Sequence, residues 1–532
     1  MRFFALNKWF FIWSLVGLVA ARAALMAVMP LTDPSEARYG AIAANMAQMG
    51  DFLTPRFIYR GVWQSFDGKP PLFFQAGGAA VLLLGRNEFA VRAPSLLAAL
   101  LLVGMVFHTA RRLANGRVAA CAALLCASNW TFFLFSGLCM TDMLLALCVG
   151  GAVCSYMLFA GCAEGERKMH SMWFFAFLAL GMLAKGPVAL VLGGMPVFVF
   201  VCAGRRWREL AGHAWVAGPA LFLAVAAPWY AAMAARDPGF LEYFFINENF
   251  LRFVTPDYGD RYGAGRETFR GMALVWFFVA SLPHLPFVIG IGVSGRGRGG
   301  GGSGAGGAGG AGGGSGGSGG SGAGWRRVFG EGCFSRNPLT ALPLLGCLCM
   351  AGFWCLTSRA LLPYLLPVAP LSALWSAAKL EEWGVLDAPR SRRFLMGSVA
   401  AAGAFVLVGL GLALFPGFGL SAKMPKRVYR EALRIQRGAP EFADAKFYFS
   451  GSAPYSAEFY FGGALRSHAP ELDAESVARS GGDFLLASKR SMKHILAAPT
   501  TATQTKPPRK AVFECREWTV FAPESAAPEA GL

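Results

Sequence analysis

Residues 9 to 30 read WFFIWSLVGLVAARAALMAVMP, a run in which Arg22 is the one charged side chain. About 18 or more apolar residues are enough for a helix to cross the hydrocarbon core of a bilayer. The apolar character continues past Arg22 to Met29, which favours an uncleaved anchor over a signal peptide cleaved after Ala23. The stretch therefore predicts a transmembrane helix, in which Arg22 extends towards the membrane surface.

Similar runs recur along the chain, and they predict a mainly α-helical membrane protein with about 11 to 13 transmembrane helices. The composition agrees, because 55% of the 532 residues are hydrophobic and only 15% are charged. The mean hydropathy of +0.45 excludes an ordinary soluble protein. The further apolar runs cover residues 91–110, 118–135, 143–160, 172–184, 188–203, 214–233, 271–293, 339–357, 361–378 and 394–414.

The charges between these runs predict an orientation. Short loops rich in arginine alternate with longer loops, and the positive-inside rule places the short basic loops in the cytoplasm. Two outer segments, 31–90 and 234–270, nevertheless carry several cations each. Cations kept on the outer face indicate an anionic ligand, with phosphate as the obvious candidate. The alternative is that long loops cross the membrane regardless of their charge.

The same pattern divides the chain into segments. We expect a first anchor at 1–30, an outer loop with interfacial helices at 31–90, and a helical bundle at 91–293 that includes the second outer loop. Residues 294–337 contain a run of Gly, Ser and Ala that predicts a flexible cytoplasmic linker. Transmembrane helices return at 338–420, and 421–532 predicts a small soluble α/β domain. Its strand-like runs are 446–449, 458–461, 483–486 and 518–521.

The first motif follows the first apolar run and reads Asp33-Pro34-Ser35-Glu36-Ala37-Arg38-Tyr39. Asp33 as N-cap, Pro34 at the first position and Glu36 at the third form a capping box, which predicts a helix stopped by Gly50. Either carboxylate could also stay ionised beside Arg38 and accept a proton from an attacking hydroxyl. The pattern leaves both interpretations open.

The second motif is Gly68-Lys69-Pro70-Pro71, in which two prolines stiffen the chain after the lysine. Lys69 would place a point charge on a phosphate. The alternative is a rigid interfacial turn from which the lysine extends towards the membrane surface. Arg359, at a predicted outer turn, would bind phosphate with two parallel hydrogen bonds.

Other candidates have two interpretations each. Asp142 is either an N-cap or a site residue. Lys185, before Gly186-Pro187, either contacts phosphate or extends towards the membrane surface. The six histidines have no metal-ligand spacing, and most cysteines lie in apolar runs as small hydrophobic residues.

These motifs resemble those of the polyprenyl-phosphate-dependent membrane glycosyltransferases, of the aminoarabinose lipid A transferase and protein O-mannosyltransferase type. The resemblance depends on their order and spacing over the first hundred or so residues, and it continues more weakly through most of the membrane region. The matching stretches are Asp33 to Tyr39, Gly50 to Arg56, Gly68 to Pro71, Asn87 to Arg92, Thr141-Asp142, Leu183 to Pro187, Tyr243 to Phe253 and Ser358 to Pro367.

The resemblance implies a type C glycosyltransferase fold, in which a spanning bundle and outer interfacial helices form a cavity for a polyprenyl phosphate sugar. By position it implies catalysis by Asp33 or Glu36 and places Lys69 beside the phosphate. Arg38, Lys185 and Arg359 are further phosphate candidates. Additional site candidates are Tyr39, Asp67, Asp142, Glu248 and Asn249.

Two departures from the family pattern bear on a metal. Some relatives have Glu directly before the lysine, where this chain has Gly68 with Asp67 one step back. Some have a Glu-His pair in the second loop, where this chain has Glu248-Asn249. Because imidazole is a better transition-metal ligand than a carboxamide, zinc is disfavoured. A metal-free site, or a divalent metal held through oxygen by Glu248 and Asp67, remains open.

The predicted function is therefore transfer of a sugar from a polyprenyl (undecaprenyl) phosphate donor to a lipid A-like glycolipid or a protein. Its partners would be the donor, the acceptor and membrane lipids, with no nucleic acid and no required cofactor. The predicted location is the bacterial inner membrane, with the catalytic loops and the C-terminal domain in the periplasm. One alternative is a lipid or sugar transporter or flippase, for which inverted repeats are expected. Another is an inactive scaffold.

Overall fold

A computed structural model gives the fold, and it describes residues 2–59, 62–255, 267–293, 337–386, 396–397, 399–404, 408, 426–438, 440–445, 447–449, 454–462, 465–466, 484–488, 511–514 and 518–521. Most of these residues are helical. The helices before residue 260 are α1 Arg2–Val28, α2 Ser35–Met49, α3 Leu72–Leu84, α4 Glu88–Leu113, α5 Gly116–Ser128, α6 Trp130–Phe135, α7 Thr141–Gly161, α8 Glu164–Lys185, α9 Val188–Gly204, α10 Trp207–Leu210, α11 Ala217–Arg236 and α12 Arg252–Val254.

The remaining elements include one π-helix, which covers Glu242–Leu251 and runs directly into α12. The later helices are α13 Met272–Ala280, α14 His284–Val293, α15 Pro338–Cys355, α16 Val368–Glu382, α17 Lys426–Gly438 and α18 Tyr455–Phe461. Short 3-10 turns cover Leu362–Leu365 and Pro440–Phe442. The strands are β1 Arg56–Tyr59, β2 Val62–Ser65, β3 Phe447–Phe449, β4 Leu465–Arg466, β5 Phe484–Ser488, β6 Ala511–Glu514 and β7 Trp518–Phe521.

Within the described residues, five helices are long and apolar enough to cross a membrane, so this is an integral membrane protein. The pair α13 and α14, bent by 87° at a short break, makes a sixth if it counts as one span. Three shorter apolar helices are α3, α5 and α9. The five long spans are Trp9–Val28, Glu88–Leu113, Thr141–Gly161, Ala217–Arg236 and Pro338–Cys355.

These spans lie where the sequence predicts them. Helices also cover the other predicted runs up to residue 378, but they are shorter or more polar than the length test requires. The predicted run at 394–414 lies largely outside the described residues, as does the Gly-rich linker.

Contacts divide the chain into two compact units. The first, which we call the bundle unit, comprises Met1–Ala24, Gly68–Leu72 and Ser95–Leu407. Its helices pack closely because small residues face large ones. A Cβ on Gly151 would lie 2.6 Å from the ring of Phe177, and one on Gly181 would lie 2.7 Å from the Cβ of Ala189. Such close approach of helices is typical of membrane bundles.

The second, which we call the α/β unit, comprises Leu25–Asp67, Phe73–Pro94 and Val408–Leu532. It joins most of the first predicted outer loop to the C-terminal region. β1 and β2 form an antiparallel hairpin, with Arg56 opposite Ser65. The other strands form a five-stranded sheet in the order β4-β3-β5-β7-β6. β3 runs parallel to β4 and β5, and β7 runs antiparallel to β5 and β6.

The C-terminal elements agree with the sequence at three of four runs. Strands cover 447–449, 484–488 and 518–521. The prediction of a strand at 458–461 is wrong, because these residues belong to helix α18. Pro454 in extended conformation precedes the helix, and Phe459 and Phe461 are buried. The tertiary setting of an amphipathic helix outweighs the β propensity of its aromatic residues.

The start of α2 also differs from its prediction. Gly50, in the left-handed conformation with φ of 70°, ends the helix as expected. Asp33 is not the N-cap of α2. The N-cap position is occupied by Pro34, which makes no side-chain capping hydrogen bond. Instead, the backbone N–H and hydroxyl of Thr32 donate to Glu36 at 2.9 and 2.8 Å. Glu36 therefore closes the helix start without Asp33.

Candidate active site

In the bundle unit, Lys69 and Arg252 share one carboxylate. Lys69 Nζ and Arg252 Nη1 each lie 2.5 Å from the same oxygen of Glu248, Oε1. Glu248 and Arg252 are four residues apart across the end of the π-helix, so their side chains point to one side. Glu248 is only 3% exposed. Two cations on one carboxylate leave a net positive charge that an anionic group can neutralise.

A second ion pair joins the start of α7 to the end of α8. Lys185 Nζ donates to Asp142, and both residues are buried. The ammonium also lies 4.6 Å from the centre of the Tyr364 ring, within cation–π range. Asp142 is therefore a partner of Lys185 and not the N-cap of α7, whose cap position is Met140. Because Lys185 is buried, it does not extend to the membrane surface.

Arg359 is another buried cation of the bundle unit. Its Nε lies 3.1 Å from Oε1 of Glu267, and its Nη2 donates to the same oxygen. Neighbouring residues join the two segments as well, because the backbone N–H of Thr268 donates to the carbonyl of Ser358 at 2.7 Å. The guanidinium of Arg359 is only 7% exposed, whereas the side chain of Glu267 is 44% exposed.

Further contacts connect these three groups through the π-helix and α12. A Cβ on Gly186, next to Lys185, would lie 2.6 Å from the ring of Phe244 in the π-helix. Thr357, two residues before Arg359, donates to the carbonyl of Phe253 at 3.3 Å. Four cations, Lys69, Lys185, Arg252 and Arg359, thus lie beside three carboxylates. One net positive charge remains, and partial shielding from water strengthens its electrostatic contacts with an anion.

Asn249, predicted as a further site residue, lies in the same π-helix. Its side-chain nitrogen donates to the carbonyl of Phe244 at 2.7 Å. A carboxamide committed to its own helix is held rigidly, and it orients the helix turn that carries Glu248.

In the α/β unit, Asp33 binds the beginning of α18. Its Oδ1 accepts the backbone N–H of Ser456 at 3.0 Å, and its Oδ2 accepts the hydroxyl of Ser456 at 2.5 Å. Asp33 thus caps α18, which is distant in sequence, and not α2. The side chain of Asp33 is only partly buried.

Glu36 has a different environment, because it is buried and paired with Arg92. Arg92 Nε lies 2.8 Å from Oε1 of Glu36, and each side chain is 2% exposed. Burial alone would raise the pKa of Glu36, but the charge and hydrogen bonds of Arg92 and Thr32 outweigh it. The pKa of Glu36 therefore lies below its ordinary value. The guanidinium also donates to the carbonyls of Met26, Met29 and Pro30.

Two of the remaining predicted residues of this unit, Arg38 and Tyr39, contact aromatic rings. The guanidinium of Arg38 lies 5.1 Å from the ring centre of Phe66 and 5.2 Å from that of Tyr455. The ring of Tyr39 packs edge-on against Phe74 at 5.3 Å. Asp67 is buried, with 2% of its surface exposed. Arg38 is therefore held by cation–π contacts.

Several residues that contact the candidate site residues could not be identified from the sequence. Ser456, Glu458 and Glu267 lie in regions without a matching motif, and Tyr364 lies inside the matching stretch Ser358 to Pro367. Arg92 stands at the end of the motif Asn87 to Arg92, which is the one signal that could have identified it. The cations of the first outer loop also have structural roles, because Arg86 donates to the carbonyls of Glu458 and Phe459 at 3.0 and 2.8 Å.

Glu458 is a buried carboxyl on α18. Its Oε1 accepts Asn45 Nδ2 at 2.7 Å and the backbone N–H of Ile58 at 2.8 Å. Among the described residues, Oε2 has no hydrogen-bond partner. Burial raises the pKa of Glu458 to about 7, although the two donors and Arg86 partly offset this effect.

We therefore expect a pH-dependent stability from Glu458. Because its folded pKa is raised, the folded state binds an extra proton between the ordinary value of 4.5 and about 7. The free energy of unfolding should fall as pH rises through this window, by about 3 kcal/mol in total. Chemical denaturation of the detergent-solubilised protein at pH 5 to 8 should show this slope, and Glu458→Gln should flatten it.

The matched control is Asp444→Asn, which removes an exposed carboxylate of the same unit. It should keep the wild-type slope. An unchanged slope in Glu458→Gln would show that Glu458 is not the titrating group.

One oxygen of Glu248 is a poor metal ligand. Two cations lie 2.5 Å from Oε1 and would repel a divalent ion there, whereas Oε2 has no hydrogen-bond partner among the described residues. Among the residues that the structure describes, one group of three possible ligands does exist elsewhere. Cys162, Glu166 and His170 have possible ligand atoms within 4.8 Å of one another. His170 therefore has two possible metal-ligand neighbours, which the spacing of the histidines did not indicate. Arg112 hydrogen-bonds to Glu166 and Cys162.

Comparison with known proteins gives matches in sequence and in fold. Residues 68–231 match the family described as dolichyl-phosphate-mannose-protein mannosyltransferase. The undecaprenyl phosphate-alpha-4-amino-4-deoxy-L-arabinose arabinosyl transferase of Edwardsiella ictaluri is 30% identical over 230 residues, 42% of this chain and 40% of the relative. The same-named protein of Pseudomonas aeruginosa (strain UCBPP-PA14) is 31% identical over 254 residues, 46% of this chain and 44% of the relative.

The chain thus matches less than half the length of these relatives. Solved structures extend the comparison to the whole fold. ArnT from Cupriavidus metallidurans, in a crystal structure bound to undecaprenyl phosphate, superposes with a TM-score of 0.72 over 99% of both chains at 17% identity. Its apo structure gives a TM-score of 0.70. The resemblance to the polyprenyl-phosphate-dependent glycosyltransferases and the mainly helical membrane fold are therefore confirmed, while the count of 11 to 13 spans and the separate C-terminal domain stay predictions.

Proposed function

We propose that this chain is a membrane glycosyltransferase that moves a sugar from a polyprenyl phosphate donor to a hydroxyl of a lipid or protein acceptor. The observation that carries the proposal is a set of four buried or partly buried cations in the bundle unit: Lys69, Lys185, Arg252 and Arg359. Breaking the bond between sugar and phosphate leaves negative charge on the departing phosphate, and fixed cations stabilise such charge where it develops.

The relatives support this assignment. The names of the two curated relatives describe transfer from an undecaprenyl phosphate sugar. The structure of ArnT from Cupriavidus metallidurans was determined with undecaprenyl phosphate bound. The proposal gives this chain the same donor class, while the sugar and the acceptor stay unassigned.

Each cation has a role that follows from its position. Lys69 follows Gly68, stands before two prolines and shares Glu248 with Arg252, so its ammonium is fixed in place. Pairing with a carboxylate holds each side chain in one conformation before the ligand arrives, which lowers the entropy cost of binding. The net positive charge then favours a phosphate over a neutral ligand.

The proton acceptor in this proposal is Asp33 and not Glu36. Glu36 is fully committed to Arg92 and Thr32 in a buried position, so it cannot reach an acceptor hydroxyl. Asp33 is partly exposed, and an ionised carboxylate there would take a proton as the hydroxyl attacks the sugar. The other candidate residues of this unit, which would line the site around Asp33, are Arg38, Tyr39 and Asp67.

The proposed location follows the charge pattern of the loops. The catalytic segments and the C-terminal region would face the periplasm at the inner membrane, because the short basic loops favour the cytoplasmic side. The reaction would then use a lipid-linked donor and no nucleotide sugar. Cysteine accessibility mapping from the two sides of the membrane would test this orientation.

A transfer assay with the purified chain tests the function directly. Undecaprenyl phosphate sugar with labelled sugar is incubated with lipid A, other envelope glycolipids and secreted proteins, and mass spectrometry identifies the product. A transferase releases undecaprenyl phosphate and labels an acceptor. A flippase, by contrast, moves intact donor across a proteoliposome membrane without releasing phosphate. Movement of intact donor without sugar transfer would contradict the proposal.

We expect Lys69→Ala to lower the rate of sugar transfer by about 10²- to 10³-fold, as removal of a fixed stabilising donor does elsewhere. The reason is that Lys69 would neutralise charge on the leaving phosphate. The measurement is kcat in the transfer assay with saturating donor.

Lys168→Ala is the matched control, since Lys168 is an exposed lysine at the start of α8. It should retain the wild-type rate. A Lys69→Ala protein that is folded and as active as the control would remove Lys69 from the site.

A further inference from the structure

Helix α17 of the α/β unit presents a row of arginines to solvent. Arg430, Arg434 and Arg437 are all exposed. They are spaced by four and three residues, and residues with this spacing lie on one face of a helix. The side chain of Arg434 is 82% exposed. One helical face thus displays three guanidinium groups along about two turns.

The opposite face of α17 is occupied by the core of its own unit. Val428, Tyr429 and Ala432 are buried there, together with the sheet residues Phe447 and Phe484. A basic amphipathic helix can insert its apolar face into a bilayer. In α17 that face is already packed, so the helix interacts with a partner through its exposed, arginine-rich face.

The arginine face borders a cleft of about 460 Å³, lined by Arg430, Leu433, Arg434, Arg437 and Gly438. One acidic neighbour, Glu431, lies 3.7 Å from Arg434, and an exposed pair at this distance contributes little. Arg430 and Arg437 have no ion pair among the residues that the structure describes. The cleft therefore combines unneutralised positive charge with an apolar side chain.

We propose that this cleft binds the phosphate headgroup of an anionic lipid. Guanidinium groups bind phosphate oxygens through paired hydrogen bonds, and three of them can surround one headgroup. Leu433, which is half-buried in the cleft wall, would contact the glycerol and the first carbons of the acyl chains. This binding is independent of the proposed glycosyl transfer, since it needs neither the donor nor any residue assigned to the reaction.

A lipid fits the cleft better than free phosphate for two reasons. The cleft is larger than a phosphate ion and has an apolar wall that a free ion would leave exposed. The chain is also an integral membrane protein, so lipid headgroups are the most concentrated phosphates near it. Arginines close to an anionic membrane each strengthen binding by roughly fivefold.

Isothermal titration calorimetry on the full-length protein in nanodiscs of phosphatidylcholine tests the proposal. The probes are short-chain dihexanoyl phosphatidic acid, dihexanoyl phosphatidylcholine and inorganic phosphate. We expect saturable binding of the phosphatidic acid that weakens with added salt, and much weaker binding of the other two. The triple variant Arg430→Gln, Arg434→Gln, Arg437→Gln should weaken binding by about 100-fold if each arginine contributes fivefold.

The matched control is the triple variant Arg111→Gln, Lys168→Gln, Arg208→Gln. It removes the same charge from exposed positions of the bundle unit and should bind like the wild type. Equal weakening in both triple variants would assign the binding to net charge and overturn the proposal. Inorganic phosphate that competes at the same molar concentration would also overturn it, in favour of a free-phosphate site. Sugar transfer, measured separately, distinguishes failure of this site from failure of the proposed enzyme.

Discussion

Asp33→Asn should abolish most of the sugar transfer, with a fall in kcat of about 10²- to 10⁴-fold, the usual contribution of a general base. Asparagine has the same shape and can keep both contacts with Ser456, accepting its backbone N–H and donating to its hydroxyl. It has no basic oxygen at neutral pH, so it cannot take the proton of an acceptor hydroxyl. The loss should therefore appear in kcat, while the protein remains folded.

Ser456→Ala is the control that separates chemistry from structure. It removes the hydroxyl that donates to Asp33 at 2.5 Å but leaves the carboxylate and the backbone N–H in place. If Asp33 only caps α18, both variants should lose stability together, by about 0.5 to 2 kcal/mol, and activity per folded molecule should be unchanged. If Asp33 is the base, only Asp33→Asn should lose transfer. Full transfer in Asp33→Asn would contradict the assignment.

Glu36→Gln should reduce the free energy of unfolding by about 3 to 5 kcal/mol, the typical cost of breaking one side of a buried ion pair. The glutamine leaves the charge of Arg92 without a counter-ion in a site where each side chain is 2% exposed. Reversible denaturation in mixed micelles measures this loss. Because the folded pKa of Glu36 is lowered, its contribution is present above pH 4.5 and disappears as pH falls below that value.

The pH profile and the activity of Glu36→Gln distinguish a structural from a catalytic role. At acid pH the free energy of unfolding should fall less in the variant than in the wild type, because Glu36 is no longer there to be protonated. Transfer per folded molecule should stay close to that of the wild type. A large fall in transfer without a loss of stability would move the base from Asp33 to Glu36. Glu88→Gln is a useful comparison, since Glu88 is a buried carboxylate of the same unit that accepts a hydrogen bond from Tyr460 at 2.9 Å.

These predictions depend on an assignment that the sequence left open. The motif Asp33 to Tyr39 contains two carboxylates, and from the sequence either could be the proton acceptor. Spacing along a chain cannot show which of them is buried. Folding decides the matter, since Arg92 on α4 reaches Glu36, and Ser456 on α18 reaches Asp33. Partners more than 50 residues away set the burial and the hydrogen bonds of each group.

The sequence by itself determined the membrane class, the positions of the long spans and the family resemblance. Apolar length and turn-forming residues are local properties, and a helix satisfies within one segment the backbone hydrogen bonds that hydrocarbon cannot supply. Only the tertiary structure decided which cations share a carboxylate, that Asp33 caps α18, and that residues 455–461 form a helix. Those outcomes depend on burial and on contacts between distant segments, which give an ionisable group its partners and its charge state.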